Sequence, residues 1–277
     1  MTLKNANLSP KTNDLSDYQA RLAAAIERGA DSQLNAAKLN LSLYRFKTQT
    51  KPTSYELAPS VCLIGRGTKR VFLSEEAYEY DYNSFLFCSM RLPLVAQIIE
   101  ASEDKPYLGL TLELDSAEIA RLSADKALPT IAARQTRRGI ALGAVTTPLI
   151  SAVTRLVELL DKPEDIPILS PLIQREILYR LFMSDCGAQL RAIGSSESQS
   201  YKIARAADWL KENFTRSFSV DKLATHSGMS VSNFYRHFHA LTTMSPLQFQ
   251  KKLRLNEARR LMLTENIDAA SAAFLVG

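Results

Sequence analysis

Three histidines, His226, His237 and His239, are all that this chain of 277 residues contains. All lie within or beside one stretch, Leu223–Phe238, which reads LATHSGMSVSNFYRHF. Two chemistries could use such a cluster: a metal or acid–base site built on imidazoles, or a helix whose polar face enters nucleic acid. Spacing separates them. On a helix, His237 and His239 stand two positions apart and diverge by roughly 200°, so they cannot grip one ion. His226 falls in the preceding element, with no acidic or cysteine partner close in sequence. The expectation is therefore no catalytic residue, no metal ligand and no cofactor in this cluster.

The nucleic-acid reading needs a scaffold, and the flanking residues supply one. Ser219 is placed to cap a helix over Val220–His226, with Leu223 and Ala224 inward. Gly228 suits the left-handed turn that would end it. Ser230 would cap the next helix, about Val231–Leu241, in which Phe234, Phe238 and Leu241 recur at i, i+4, i+7 as a buried face. Ser232, Arg236 and His239 share the opposite face, with Tyr235 beside them. A short helix, a glycine turn and a second helix with a polar outer face make a helix-turn-helix. Ahead of it, Ser200–Asn213 reads as a helix burying Ile203, Ala207, Leu210 and Phe214. Behind it, Ser245-Pro246-Leu247-Gln248 is a capping box with Pro at the first helical position. It opens a long helix to about Leu263 that carries Lys251, Lys252, Arg254, Arg259 and Arg260 against a lone Glu257.

Charge follows the same division. The chain has a net charge of +5, and from Ser200 onward eleven basic residues face six acidic ones, so the whole excess lies in the last quarter. A basic terminal quarter is what contact with phosphates requires, although a solvated basic surface would give the same sum. The motif also begins again. Leu223-Ala224-x-x-x-Gly228 is echoed by Ala272-Ala273-x-x-x-Gly277, and the sequence ends there, inside the second copy. With one reading helix only, this chain is expected to favour operator DNA little over random DNA. Ala269, Ala272, Phe274 and Leu275 should be exposed in a frayed segment.

The upstream part has a different texture. Leu41–Met90 is broken into short apolar or aromatic runs, LSLYRF, SVCLIG, KRVFL, AYEYDY and SFLFCSM, separated by turn signals such as Gly65-Arg66-Gly67. YLGLTLEL over Tyr107–Leu114 continues the set, so strands closing a sandwich or barrel are expected. A helix over Ser116–Lys126, with Ser116 as candidate cap, and amphipathic helices over Pro148–Leu160 and Pro171–Met183 should flank it. The stripe Leu149, Val153, Leu156 and Leu160 would pack on this domain or form a dimer seam. Residues 1–35 read as a flexible segment with one helical run, Asp17–Arg28, and 194–200, GSSESQS, as a linker. Cys62, Cys88 and Cys186 are too scattered for a disulfide framework or a zinc site and are expected as buried thiols rather than redox sensors. Neither a signal peptide nor an apolar span is legible, so the cytoplasm is the expected compartment and no membrane is expected as a partner.

The stretch LATHSGMSVSNFYRHFHALTTMSPLQFQKKLRLNEARRLML resembles the bacterial AraC/XylS-type transcriptional regulators. SVCLIGRGTKRVFL, YEYDYNSFLFCSMRLP, EASEDKPYLGL and ILSPLIQREILYRL resemble the regulatory domain of one subgroup. Together the resemblance covers about Leu41 to Gly277, with Thr243 where the family usually has Gly. It implies an α+β two-domain fold: a cupin-like β-barrel with flanking helices over 36–193, then an all-α DNA-binding domain over 201–277 whose second helix-turn-helix is incomplete. It places the base-facing residues on Ser232, Tyr235 and Arg236. Ser230, Asn233, His239, Lys251 and Lys252 complete the candidate DNA-binding set, the lysines as phosphate contacts. The partners implied are double-stranded operator DNA and a small, largely apolar effector, with RNA polymerase and a second copy of the chain as further candidates. The rival classes are a cupin-type metalloenzyme and a sensor or dimerising fragment that binds no specific DNA. Leu41–Leu114 holds no histidine, which argues against the enzyme; no effector-binding residue is assigned.

Overall fold

A computed structural model describes residues 14–31, 33–129 and 138–277. Among the described residues nine strands, paired antiparallel, form two facing sheets. One holds β1 (Leu41–Phe46), β8 (Tyr107–Glu113), β3 (Ser60–Arg66), β6 (Ser84–Cys88) and β9 (Ile140–Ala144), in that order. The other runs β2 (Thr53–Leu57), β7 (Leu92–Glu100), β4 (Thr68–Leu73) and β5 (Glu76–Tyr80). The five-stranded sheet is a middle layer. Its outer side chains, among them Leu41, Leu43, Leu63, Phe85, Phe87 and Leu110, pack under helices. Its inner ones, including Cys62, Ile64, Leu86, Cys88 and Ile140, meet the second sheet. A strand covered on both faces is buried on both, so it is mostly apolar, as β3 is over Val61–Ile64 and β8 over Tyr107–Leu110. The second sheet has a solvent side, so β4 and β5 bury alternate residues.

The covering layer is α1 (Asp14–Gly29), α4 (Thr147–Glu158) and α5 (Ile166–Phe182), with α2 (Gln33–Lys38), α3 (Ser116–Ser123) and α6 (Gly187–Gly194) at its margins. Two expectations change here, and one pair of alternatives is decided. The flexible reading of 1–35 does not hold from Asp14 onward, because Leu22, Ala23, Ala25 and Ile26 are buried in the main core. Gly65 permits this approach: a Cβ there would stand 2.9 Å from the Ala23 Cα. Residues 1–13 of that segment lie outside the described residues. The α3 cap is Asp115 rather than Ser116; its Oδ1 accepts from the Ala117 and Glu118 amides. The stripe Leu149, Val153 and Leu156 is buried within its own domain, against α1 and α5, and forms no open seam.

The three cysteines are free and buried. Burial pushes the Cys88 thiol up and the Cys186 thiol up to about 12, which disfavours the thiolate of both at neutral pH. Among the described residues, no helix is long and apolar enough to cross a membrane. The second domain follows a connection of four residues, Ser195–Ser198, shorter than the expected 194–200, and is wholly helical.

Because α1 is part of the core, Ile26→Ala should cost about 2–5 kcal/mol of unfolding free energy. Guanidinium titration of the purified chain measures it; a loss too small to resolve would mean that α1 only rests on the surface.

Candidate nucleic-acid interface

The helical domain comprises α7 (Gln199–Glu212), α8 (Val220–His226), α9 (Val231–Thr242), α10 (Pro246–Thr264) and α11 (Ala269–Val276). Ser219 caps α8 by accepting from the Lys222 amide. The turn after α8 closes as a Schellman motif: the Met229 amide donates to the Ala224 carbonyl at 3.0 Å and the Gly228 amide to that of Thr225 at 2.9 Å. Gly228 sits at φ +64°, with no heavy atom nearer than 4.0 Å to where a Cβ would be. The backbone conformation, not space, demands glycine there. The turn sends Met229 into the core and starts α9 at Ser230, whose hydroxyl makes no capping bond.

Along α9, Phe234, Phe238 and Leu241 are buried. The Phe234 and Phe238 rings lie 5.5 Å apart, and Phe238 meets Phe249 of α10 edge-on at 5.4 Å. This aromatic column fixes the rotation of α9. Ser232, Tyr235, Arg236 and His239 are thereby turned to solvent, Ser230 is exposed at the helix start, and Asn233 is half-buried. Asn233 Oδ1 accepts from Arg236 Nη2 at 2.7 Å, which tethers the guanidinium on the exposed face. His237 faces inward beside Arg236, and burial with that positive neighbour lowers its pKa. His237 and His239 thus point apart, as their spacing requires.

The basic helix α10 opens with the expected capping box between Ser245 and Gln248. Its five cations divide by role, which the sequence does not disclose. Arg254 is structural: Nε donates to the Phe214 carbonyl and Nη1 to that of Gly277, both at 2.6 Å. Arg260 is held by Glu257 and Glu265. Lys251, Lys252 and Arg259 are exposed. The terminal helix α11 is not frayed, since Asp268 caps it and Ala272 and Val276 pack on Leu261. The expected exposure of Ala272 is therefore corrected, while Ala269, Phe274 and Leu275 are exposed.

The helix-turn-helix does not stand apart from the β-domain. The Gly139 amide donates to the Leu241 carbonyl at 2.8 Å, and Arg138 Nη1 to that of Ala240 at 3.1 Å. Glu76 holds the same Arg138 guanidinium. Arg91 binds Glu56 at 2.9 Å and Asp208 of α7 at 3.3 Å, while Lys211 of α7 reaches Glu56 at 3.0 Å. Thr243, left-handed at φ +60°, lies 2.9 Å from the hydroxyl of Ser74, itself left-handed at φ +55°. Sequence reasoning missed Arg91, Arg138 and Gly139, whose partners are distant in the chain.

A two-sheet sensor-like domain joined to a helix-turn-helix is the architecture of a class of bacterial regulators, and the comparisons agree. Residues 38–189 match the family described as AraC-type transcriptional regulator N-terminus, and 223–277 match a helix-turn-helix domain. The chain belongs to the AraC-type transcriptional regulators. It is 62% identical over 34 residues to YneL of Escherichia coli (strain K12), an HTH-type transcriptional regulator by name. That match covers 12% of this chain and 58% of YneL. In fold it is similar to unsaturated-fatty-acid-bound ToxT from Vibrio cholerae strain SCE256, at a TM-score of 0.52 and 11% identity over 85% of this chain and 86% of that one.

The turn supplies a direct check of this geometry. Gly228→Ala should destabilise the protein by about 1–2 kcal/mol and Gly228→Asn by less, because Asn tolerates the left-handed region. Equal stability of the Ala variant and the native chain, measured by denaturant unfolding, would contradict the assigned turn.

Proposed function

We propose that the chain is an effector-responsive transcription factor that reads double-stranded operator DNA with α9 and acts in the cytoplasm, not as an enzyme. The observation that carries this reading is the orientation of α9. Its aromatic face is locked into the core while Ser232, Tyr235, Arg236 and His239 are exposed together on the opposite side. Arg236 is the principal base reader, able to pair bidentately with guanine O6 and N7. Ser232 and Tyr235 contribute further base contacts. Ser230 and Asn233 at the helix start, with its unbonded backbone amides, and His239 at the far end meet phosphate. Lys251 and Lys252 add sequence-independent phosphate contacts along α10.

The N-terminal domain is the effector domain in this reading. ToxT, similar in fold, is bound to an unsaturated fatty acid, which supports a small molecule as the ligand here. The β-domain touches the end of α9 at Leu241 and α7 at Asp208, so a shift of its strands would reach α9 directly at Leu241.

The test uses fluorescence anisotropy on a duplex selected from random sequence by the full chain, beside a scrambled duplex. One reading helix keeps the preference between them small, little more than the about 1–3 kcal/mol that a single bidentate arginine–guanine pair supplies, and Arg236→Ala should abolish it. Lys251→Ala and Lys252→Ala should weaken both duplexes alike. An Arg236→Ala variant that weakens both equally would refute the base-reading assignment.

A further inference from the structure

A cleft of about 520 Å³ opens where the two domains meet, outside the two sheets. Its walls come from α6, from the residues just before β9, from the start of α7 and from the flank of α9. Among its described lining residues there is no carboxylate. Arg236 and His237 stand on the α9 side, with Nη2 and Nε2 3.4 Å apart. The Arg138 guanidinium is already taken up by Glu76 and the Ala240 carbonyl. That of Arg236 is not: Nη2 donates to the neutral Asn233, while Nε and Nη1 have no partner among the described residues. Burial and the Arg236 charge lower the His237 pKa, and an anion between the two side chains would reverse the second effect. α7 opens into the same cleft at Gln199 and Ser200, whose amides find no acceptor within the helix.

The same walls carry acceptors that nothing uses. Gln189 is 8% exposed and gives its Nε2 to the Arg138 carbonyl at 2.8 Å, but its Oε1 has no partner. The Gln199 Oε1 is buried and unpartnered as well. A buried acceptor left unpaired is costly, and two on the walls of one cleft call for an explanation. Each asks for a hydroxyl or amine hydrogen, whereas Arg236, His237 and the two amides ask for an anion. A phosphate suits the second set better than a carboxylate. Its three terminal oxygens can accept at once from a guanidinium, an imidazole and a helix start. The volume is in the range that holds a small organic molecule.

We propose that this cleft binds a small hydroxylated phosphate ester, its phosphate between Arg236, His237 and the start of α7 and its hydroxyls donating to Gln189 and Gln199. Both domains hold the ester, α6 on one side and α9 on the other. The consequence rests on the reading of Arg236 as the base reader. A phosphate in the cleft takes the guanidinium that guanine would need, so the ester and sequence-selective DNA binding exclude each other.

The test uses the full chain with glucose 6-phosphate as probe, and glucose and inorganic phosphate as controls that each keep one half of it. Calorimetric titration reads binding, and anisotropy on the selected and scrambled duplexes reads DNA affinity. Glucose 6-phosphate should bind saturably, inorganic phosphate about tenfold or more weakly, and glucose not measurably. Arg236→Ala, at an exposed position where folding is not at stake, and Gln199→Leu, at the hydroxyl end, should each weaken glucose 6-phosphate about tenfold or more. Saturating glucose 6-phosphate should erase the preference between the duplexes. The absence of saturable binding, equal binding of inorganic phosphate, or unchanged binding by either variant would each overturn the site. Binding that depends on Arg236 but leaves the duplex preference intact would keep the site and overturn the competition. If Arg236→Ala loses glucose 6-phosphate but keeps the duplex preference, the site stands and the base-reading assignment fails instead.

Discussion

The close approach of Gly139 to the C-terminal end of α9 is the contact on which the arrangement of the molecule depends. A Cβ at Gly139 would stand 3.1 Å from both the Leu241 carbonyl oxygen and Met90 Cγ, and 3.2 Å from Leu92 Cδ1. A side chain there would crowd these three atoms, and Gly139 lets the chain entering β9 lie close against the helix end and donate its amide there. Met90, Leu92 and Ile140 therefore share one apolar core with Phe234, Phe238 and Leu241. A helix whose buried face belongs partly to another domain cannot rotate freely. Its outward residues inherit their direction from the β-domain, and the reverse holds as well.

Charge tightens the same joint and decides what is left for a partner. Glu56 takes both Arg91 and Lys211 and Asp208 takes Arg91 as well, so two carboxylates offset two of the positive charges at the joint. Arg254 and Arg260 are consumed by backbone carbonyls and by Glu257 and Glu265. The formal excess of +5 thus overstates the charge available in some places and conceals where it is concentrated. Lys251 and Lys252, exposed on α10, remain on the same domain as the polar face of α9.

The parts of the structure that local rules determine were legible in the sequence. Val220–His226 was readable to the residue because Ser219 and Gly228 mark its ends, and the Ser245 capping box did the same for α10. The candidate reading face followed from the Phe234, Phe238 and Leu241 spacing. What depended on distant partners was not legible. β2, β7 and β9 escaped notice: TSYEL is short, Pro93 interrupts the start of LPLVAQIIE, and IALGA is small and glycine-bearing. The alanines of α1 gave a weak apolar signal, and their burial depends on Gly65, forty residues away. Arg254 looked like one more cation on a basic helix until the carbonyls it holds were in place.

The central claim, that the β-domain and α9 form one cooperative unit through a shared core, has a built-in reporter. The chain's one tryptophan, Trp209, lies on α7 beside Phe218 in the helical domain, with their rings 6.2 Å apart. Guanidinium unfolding followed by Trp209 fluorescence reports that domain, while far-UV circular dichroism reports the whole chain. A shared core predicts coincident transitions with one midpoint. A tryptophan transition complete before the dichroism signal has begun to fall, or beginning only after it has largely fallen, would show that the two domains fold independently and contradict the account.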